Sequence, residues 1–209
     1  MTRTLKLISS IVGVATLQLL FAQVALTQED GQYFKASYLS GDASGSFAGW
    51  DLSGLEVVMG NKSSNSGKSY YDLAFGTSIL TEGASGASSG GNYTFSGSVD
   101  TDVIGFNFYP SVGYNVTDWM SVYAGPNIGL NYALLSVDGT ITVDGTSYTG
   151  SGLEDYFGYN WGYGAGVTFK FSETFGLDLG WRNSTHVDFL DTGIDYEADY
   201  WTFGLYFEF

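Results

Sequence analysis

The sequence predicts an all-β fold: an eight-stranded antiparallel transmembrane up-and-down β-barrel, preceded by a cleavable signal peptide. Three observations lead to it. Large apolar side chains recur at every second position in eight segments. Glycine is abundant, with 30 residues, and 17% of the chain is aromatic while only 14% is charged. The connections between the eight segments alternate between short and long.

The N-terminus predicts export. Arg3 and Lys6 precede a nearly uncharged apolar run over residues 7–26, the arrangement of a secretory signal peptide. We expect residues 1–25 to be the signal, with the cut between 22 and 28, and residues 29–209 to form the barrel domain. A retained transmembrane helix is the alternative, but Ser, Thr and Gln interrupt the run and no basic stop follows it.

Period-two alternation defines the strands. In YWTFGLYFEF, for example, one face carries Trp201, Phe203, Leu205, Phe207 and Phe209. Segments of this kind are long enough for tilted strands that cross a bilayer, which need about 9–11 residues. The predicted strands are 32–40, 50–60, 69–80, 98–113, 119–133, 159–171, 175–188 and 198–209.

The residue types on the two faces favour a membrane barrel over a soluble one. A soluble barrel has a bulky apolar interior and a charged exterior. Here the less apolar face consists mainly of Gly, Ser, Asn and Tyr, and only five Lys or Arg follow the predicted signal. We therefore expect the apolar face to meet lipid and the small polar face to fill a narrow lumen.

The lengths of the connections predict the orientation. Short periplasmic turns and longer external loops are typical of such barrels. The short connections are 60–68, 114–118 and 172–174, and the long ones lie near 41–49, 81–97, 134–158 and 189–197. Ten acidic residues lie in or beside the long ones, so we expect an acidic external surface. In the third long loop, two Asp-Gly pairs (138–139 and 144–145) leave two alternatives, strands protruding above the membrane or a flexible Gly/Ser-rich loop like 84–92.

Composition excludes several classes of function. A net charge of -15 with few basic residues argues against binding nucleic acid. The chain has no Cys, which excludes disulfides and thiolate metal sites. We predict no cofactor and no metal site.

The predicted lumen contains a small set of ionisable residues: Glu56, Asp72, Asp178, Arg182, His186 and Asp188. Arg182 is the only Arg after the predicted signal. An unpaired charge in a narrow lumen is costly, so we expect Arg182 to pair with one or more of Glu56, Asp72 and Asp178. Such a network would act as a plug or as a gate.

Three stretches resemble a known family. YWTFGLYFEF, GYNVTDWMSVYAG and KFSETFGLDLGWR are similar to the strand and turn units of small outer-membrane β-barrel proteins of Gram-negative bacteria, the eight-stranded group that includes OmpA and OmpX. The resemblance implies insertion in the cell outer membrane after export through the periplasm, among lipid and lipopolysaccharide. It also implies that the alternate residues of the last strand are the signal read by the barrel-assembly machinery: Trp201, Phe203, Leu205, Phe207 and Phe209.

The resemblance implies little about activity. Outer-membrane lipid-A deacylases use a His and a Ser two residues later, whereas here Ser184 precedes His186 and Asp188 takes the later position. We therefore predict no catalysis and a structural or cell-surface interaction role, with a possible partner at the outer loops. The alternative is a narrow porin-like channel for small polar solutes. A lipid hydrolase and a soluble lipocalin-like binder are further alternatives.

Overall fold

The computed structural model describes residues 31–45, 51–64, 67–90, 93–188 and 195–209, so the predicted signal peptide lies outside the described residues. The described residues form eight strands in a closed antiparallel barrel, in which every strand pairs with its neighbours along the chain and β1 pairs with β8. The predicted eight-stranded fold is confirmed. The strands are β1 Gln32–Gly45, β2 Asp51–Ser64, β3 Ser69–Gly90, β4 Tyr93–Thr117, β5 Met120–Val143, β6 Thr146–Lys170, β7 Phe175–Asp188 and β8 Tyr196–Glu208.

Side chains point inward and outward as the alternation predicts. Trp161 is 55% exposed and Phe203 is 52% exposed on the outer face. Their neighbours on the inner face are Gly162, which is buried, and Thr202, which is 1% exposed. A large apolar surface turned outward over a small polar interior is the arrangement required in lipid and the reverse of a soluble barrel. Within the described residues, no helix is long and apolar enough to cross a bilayer.

The two ends of the barrel differ. At one end, here called the terminal end, lie Gly31, Phe209 and the connecting residues 67–68, 118–119 and 171–174. At the other end, β3 to β6 continue beyond the adjacent strands. Pairing of β2 with β3 stops at Asp51↔Gly83, and pairing of β6 with β7 stops at Gly158↔Asp188. We call this end the extended end, and we call residues 81–90, 93–102 and 132–157 the extension; its base includes residues 81–83, which still pair with β2.

The extension corrects the predicted loops. Residues 81–90 and 93–97 belong to β3 and β4, and nearly all of 134–158 belongs to β5 and β6, so the prediction of a flexible Gly/Ser-rich loop is wrong. The connection between β5 and β6 is the pair Asp144–Gly145, with φ angles of 49° and 80°, the left-handed conformations that a two-residue hairpin turn needs. The other Asp-Gly pair, 138–139, lies inside β5.

The pairing of β4 with β5 is interrupted at mid-height of the barrel, apart from a register shift between Asn115 and Thr117 near the terminal end. Their ladder runs in one register on both sides of a gap, with Phe108↔Ile128 before it and Val112↔Ala124 after it. That register places Pro110 opposite Pro126, and these are the only two prolines in the sequence. Proline has no N–H to donate. The prolines and the residues on either side of them are missing from the ladder. Three missing pairs in a row are expected when the central pair is a hydrogen-bonded pair, in which the two residues normally exchange both N–H···O bonds.

Candidate functional site: a filled lumen and a protruding sheet

The lumen is filled by side chains in successive layers. At the terminal end, the Lys62 ammonium lies over three tyrosine rings, 4.4 Å from the centroid of Tyr206 and 5.2 Å from those of Tyr33 and Tyr70. An ammonium over aromatic faces is attracted by their quadrupoles. Beside it, Lys170 forms an ion pair of 2.6 Å with Glu208. Lysine and tyrosine therefore close this mouth of the barrel.

The next layer is centred on Asp178. Lys35 donates to Asp178 Oδ1 at 2.9 Å, and the hydroxyls of Tyr123 and Thr168 donate to the same carboxylate, also at 2.9 Å. A small cavity of about 50 Å³ adjoins this layer. Asp72, which also lines the cavity, accepts from the hydroxyl of Tyr33 at 2.8 Å through Oδ2, and the described residues offer no partner to its Oδ1.

Arg182 occupies the centre of the lumen. Its two terminal nitrogens donate to the two oxygens of Glu56 at 2.6 and 2.9 Å, a bidentate pair. Nη1 also donates to the hydroxyl of Tyr109 at 2.7 Å, and that hydroxyl donates to Glu56 in turn. The Glu56 side chain is 0% exposed and that of Arg182 is 10% exposed. Of the three predicted partners, the structure places Glu56 beside Arg182, whereas Asp178 holds Lys35 and Asp72 holds Tyr33.

Above the arginine lies a layer of amides. Asn160 donates to Asn107 at 2.9 Å and to Asn131 at 2.8 Å, and Asn127 donates to the hydroxyl of Ser184 at 2.8 Å. The Asn131 side-chain nitrogen also contacts His186 Nδ1 at 2.8 Å. The other ring nitrogen of His186, Nε2, has no hydrogen-bond partner among the described residues. A network of this kind ties four strands across the lumen.

Ser184 and His186 are not arranged for hydrolysis. Both face the lumen and are buried, Ser184 at 0% exposure. The partners of Ser184 are Asn127 and Tyr200, while the His186 ring stacks on Tyr196 with 4.5 Å between centroids. A general base must reach the proton it removes, and here the two side chains have different partners. Asp188 ends β7 opposite Gly158, and its side chain lies outside the described part of the chain.

An apolar layer closes the extended end of the lumen. It is a cluster of buried residues that combines aliphatic and tyrosine side chains: Leu39, Ala43, Leu52, Leu80, Val103, Tyr196, Ala198 and Tyr200. The described residues contain no group of three or more His, Asp or Glu side chains placed to hold a metal ion.

Sequence reasoning missed part of this interior. It identified Arg182 and its candidate carboxylate partners but not the roles of Lys35, Tyr109 and Tyr123. It also missed the amide layer. The signal was present, because Asn107, Asn127 and Asn131 occupy the same inward positions as the glycines of their strands. What the sequence did not provide was the register that brings four strands to one level.

The extension has one polar and one apolar face. On the face that continues the lumen, Val137, Ile141 and Phe95 alternate with positions whose side chains point the other way. The opposite face is rich in Ser, Thr and Asp, as in the hydrogen-bonded pair Thr140 and Thr149 at 3.1 Å. Nearer the base, Tyr132 donates to Asp155 at 3.2 Å, and burial and this carboxylate raise the pKa of Tyr132.

A closed barrel with an apolar exterior and a polar interior defines the class of integral membrane β-barrels. The profile of the outer membrane protein beta-barrel domain family matches residues 13–209, and the chain belongs to that family. It is therefore an outer-membrane protein. A comparison with curated proteins finds no match.

Several solved structures resemble this chain at low sequence identity. The attachment invasion locus protein Ail of Yersinia pestis is 14% identical, with a TM-score of 0.50 over 87% of this chain and 100% of that one. Neisserial surface protein A is 15% identical, with a TM-score of 0.49 over 86% of this chain and 98% of that one. The outer membrane enzyme PagL is 14% identical, with a TM-score of 0.39 over 82% of this chain and 97% of that one. At 14% identity, the likeness to Ail concerns the fold alone.

Proposed function

We propose that this protein is a plugged outer-membrane barrel that interacts with partners at the cell surface, with the extended end outside the cell and the terminal end in the periplasm. The observation that carries the proposal is the extension. Four strands continue beyond the strands on either side, which adds area that the barrel does not need to span the bilayer.

The backbone of the extension supports interaction with a partner. Residues 146–153 of β6 pair with β5 on one side, and no described strand pairs with them on the other. An unpaired strand edge is a template for another extended chain. Natural edges are blunted by Lys, Pro or bulges, but the segment TSYTGSGL has none of the first two.

The filled lumen argues against the alternative, a porin-like channel for small polar solutes. An eight-stranded barrel has an interior just wide enough for side chains to fill. The Arg182–Glu56 pair crosses this interior, and the apolar cluster lies between it and the extended end. Passage of a solute would have to separate a buried ion pair, which costs about 3–5 kcal/mol when one partner is lost.

The test combines a shortened barrel with a conductance measurement. Replacing residues 136–153 by Asn-Gly shortens the β5–β6 hairpin and keeps the pair Leu135↔Glu154 next to a suitable two-residue turn. Cells that display the full-length protein should adhere to serum-protein-coated glass more than cells with the shortened protein at equal, heat-modifiable amounts. The purified full-length protein should give no stepwise conductance in planar bilayers. Equal adhesion together with stepwise conductance would favour the channel.

A further inference from the structure

The inner face of the extension carries a groove whose floor is glycine. Gly97, Gly139 and Gly150 lie side by side on β4, β5 and β6. The Phe95 ring lies over the first two, since a Cβ on Gly97 would be 2.9 Å from the ring and one on Gly139 would be 3.4 Å from it. Among the described residues, no atom lies within 4 Å of a Cβ built on Gly150, so β6 leaves the floor open there.

The walls of this groove are apolar. Ile141 and Tyr148 stand opposite each other on one side of the glycine row, and Val137 stands on the other side. Tyr148 is 61% exposed and Phe95 is 46% exposed. The groove has a volume of about 600 Å³, enough for one or two large side chains. Exposed aromatic and aliphatic walls around an empty floor are features of a binding surface.

The groove adjoins the unpaired edge of β6. A strand added along residues 146–153 would send every second side chain to the groove face, because side chains alternate in a strand. The occupant that fits is therefore an extended peptide with large apolar residues at alternate positions. Peptides of this type gain affinity from main-chain bonds and specificity from pockets for alternate side chains.

Charge decides the remaining positions of such a peptide. The residue ranges of the extension contain seven acidic residues and no Lys, Arg or His; the acids are Glu82, Asp100, Asp102, Asp138, Asp144, Glu154 and Asp155. A field of one sign attracts partners of the opposite sign and repels those of the same sign. Resting on the proposed surface role, we infer that the extension binds extended segments in which Lys or Arg alternates with large apolar residues.

The experiment measures peptide binding to the full chain in nanodiscs of uncharged phosphatidylcholine, with empty nanodiscs subtracted. The probe is a fluorescent eight-residue peptide of alternating Lys and Phe, and its matched control has Glu in place of Lys. The Lys peptide should bind at least tenfold more tightly than the Glu peptide, and its affinity should fall when NaCl rises from 50 to 500 mM. Equal binding of the two peptides would overturn the inference.

Two substitutions locate the site. Gly150→Val places a branched side chain in the open floor and should weaken binding of the Lys peptide at least tenfold. Ser151→Val adds a similar side chain on the opposite face of the same strand and should leave binding within twofold. Tyr148→Ser, which removes a wall instead of filling the floor, should also weaken binding. Heat-modifiability gels check that each variant is folded, and an unchanged affinity in both Gly150→Val and Tyr148→Ser would refute the groove.

This result is separable from the surface role itself. If the shortened hairpin abolishes adhesion but the Lys and Glu peptides bind alike, the extension is an interaction surface and the inferred partner chemistry is wrong. If shortening the hairpin does not change adhesion, the surface role is wrong, whether or not the Lys and Glu peptides bind differently.

Discussion

The pair formed by Arg182 and Glu56 offers the sharpest test of the interior. Arg182→Met leaves the Glu56 carboxylate, which has no exposed surface, without its two guanidinium bonds of 2.6 and 2.9 Å. Each hydrogen bond to a charged group contributes about 1.5–3 kcal/mol, and loss of one partner of a buried pair costs about 3–5 kcal/mol. We expect the free energy of unfolding to fall by about 3–5 kcal/mol, a factor of at least about 100 in the equilibrium constant.

A double-mutant cycle separates the pair from its surroundings. Glu56→Leu should destabilise the barrel by a comparable amount, because Arg182 then remains charged and buried. The double variant Glu56→Leu with Arg182→Met removes both charges, and its stability should lie within about 1–2 kcal/mol of the wild type. Urea unfolding in lipid vesicles, followed by tryptophan fluorescence, measures all of these variants. Additive losses in the double variant, or a loss below about 1 kcal/mol for Arg182→Met, would refute the assigned pairing.

Three further predictions concern the wall and the last strand. Pro110→Val and Pro126→Val each restore one N–H at the interrupted β4–β5 ladder. Each should raise the free energy of unfolding by about 0.5–1.5 kcal/mol and slow amide hydrogen exchange at residues 108–112. A loss of stability in both variants would contradict the assigned gap. Gly162→Ala should destabilise the barrel by about 1–3 kcal/mol, because the new Cβ would collide with Asn183 O and lie 2.8 Å from Ser184 Cα. Gly150→Ala, which has open space around the new Cβ among the described residues, should not destabilise it. Equal urea midpoints for the two variants would contradict the packing argument. Phe209→Ser keeps the backbone hydrogen bond from the N–H of residue 209 to Gln32 O at 3.0 Å. It should lower the amount of protein in the outer membrane without affecting refolding in detergent. Phe171→Ser, which changes another exposed aromatic residue of the terminal end, is the control, and an equal loss in both variants would argue against a recognition signal.

The membrane-spanning part of the fold was predictable because lipid imposes a strict rule on it. Trp201, Phe203 and Leu205 had to face one way, and the alternation therefore marks both the strand and its outer face. The extension has no lipid to enforce this rule. The alternation of Leu135, Val137, Ile141 and Val143 is visible in the sequence, but the pair Asp138–Gly139 is also a local turn signal. Pairing with two neighbouring strands outweighs that local preference.

The lumen was predictable in kind and not in detail. Alternation alone predicts that four charged side chains lie inside, because Glu56, Asp72 and Asp178 each lie between outward apolar residues and Arg182 follows the outward Trp181. Which carboxylate met the guanidinium depended on the stagger between strands, and the sequence contains no direct measure of stagger. The layer that joins Lys35 to Asp178 uses residues from the first and the seventh strand, a contact that only closure of the barrel creates.

The seam between β1 and β8 has a consequence for how the molecule comes together. Seven of the eight strand interfaces join neighbours along the chain, while the last one pairs Tyr33 with Glu208 and Gly45 with Tyr196, at opposite ends of the described sequence. Until those ends meet, two rows of peptide groups face hydrocarbon without partners, each group at a cost of several kcal/mol. An incompletely paired sheet is therefore unstable in the bilayer. Because the β1–β8 pairing is the one contact between distant strands, its formation makes assembly all-or-none.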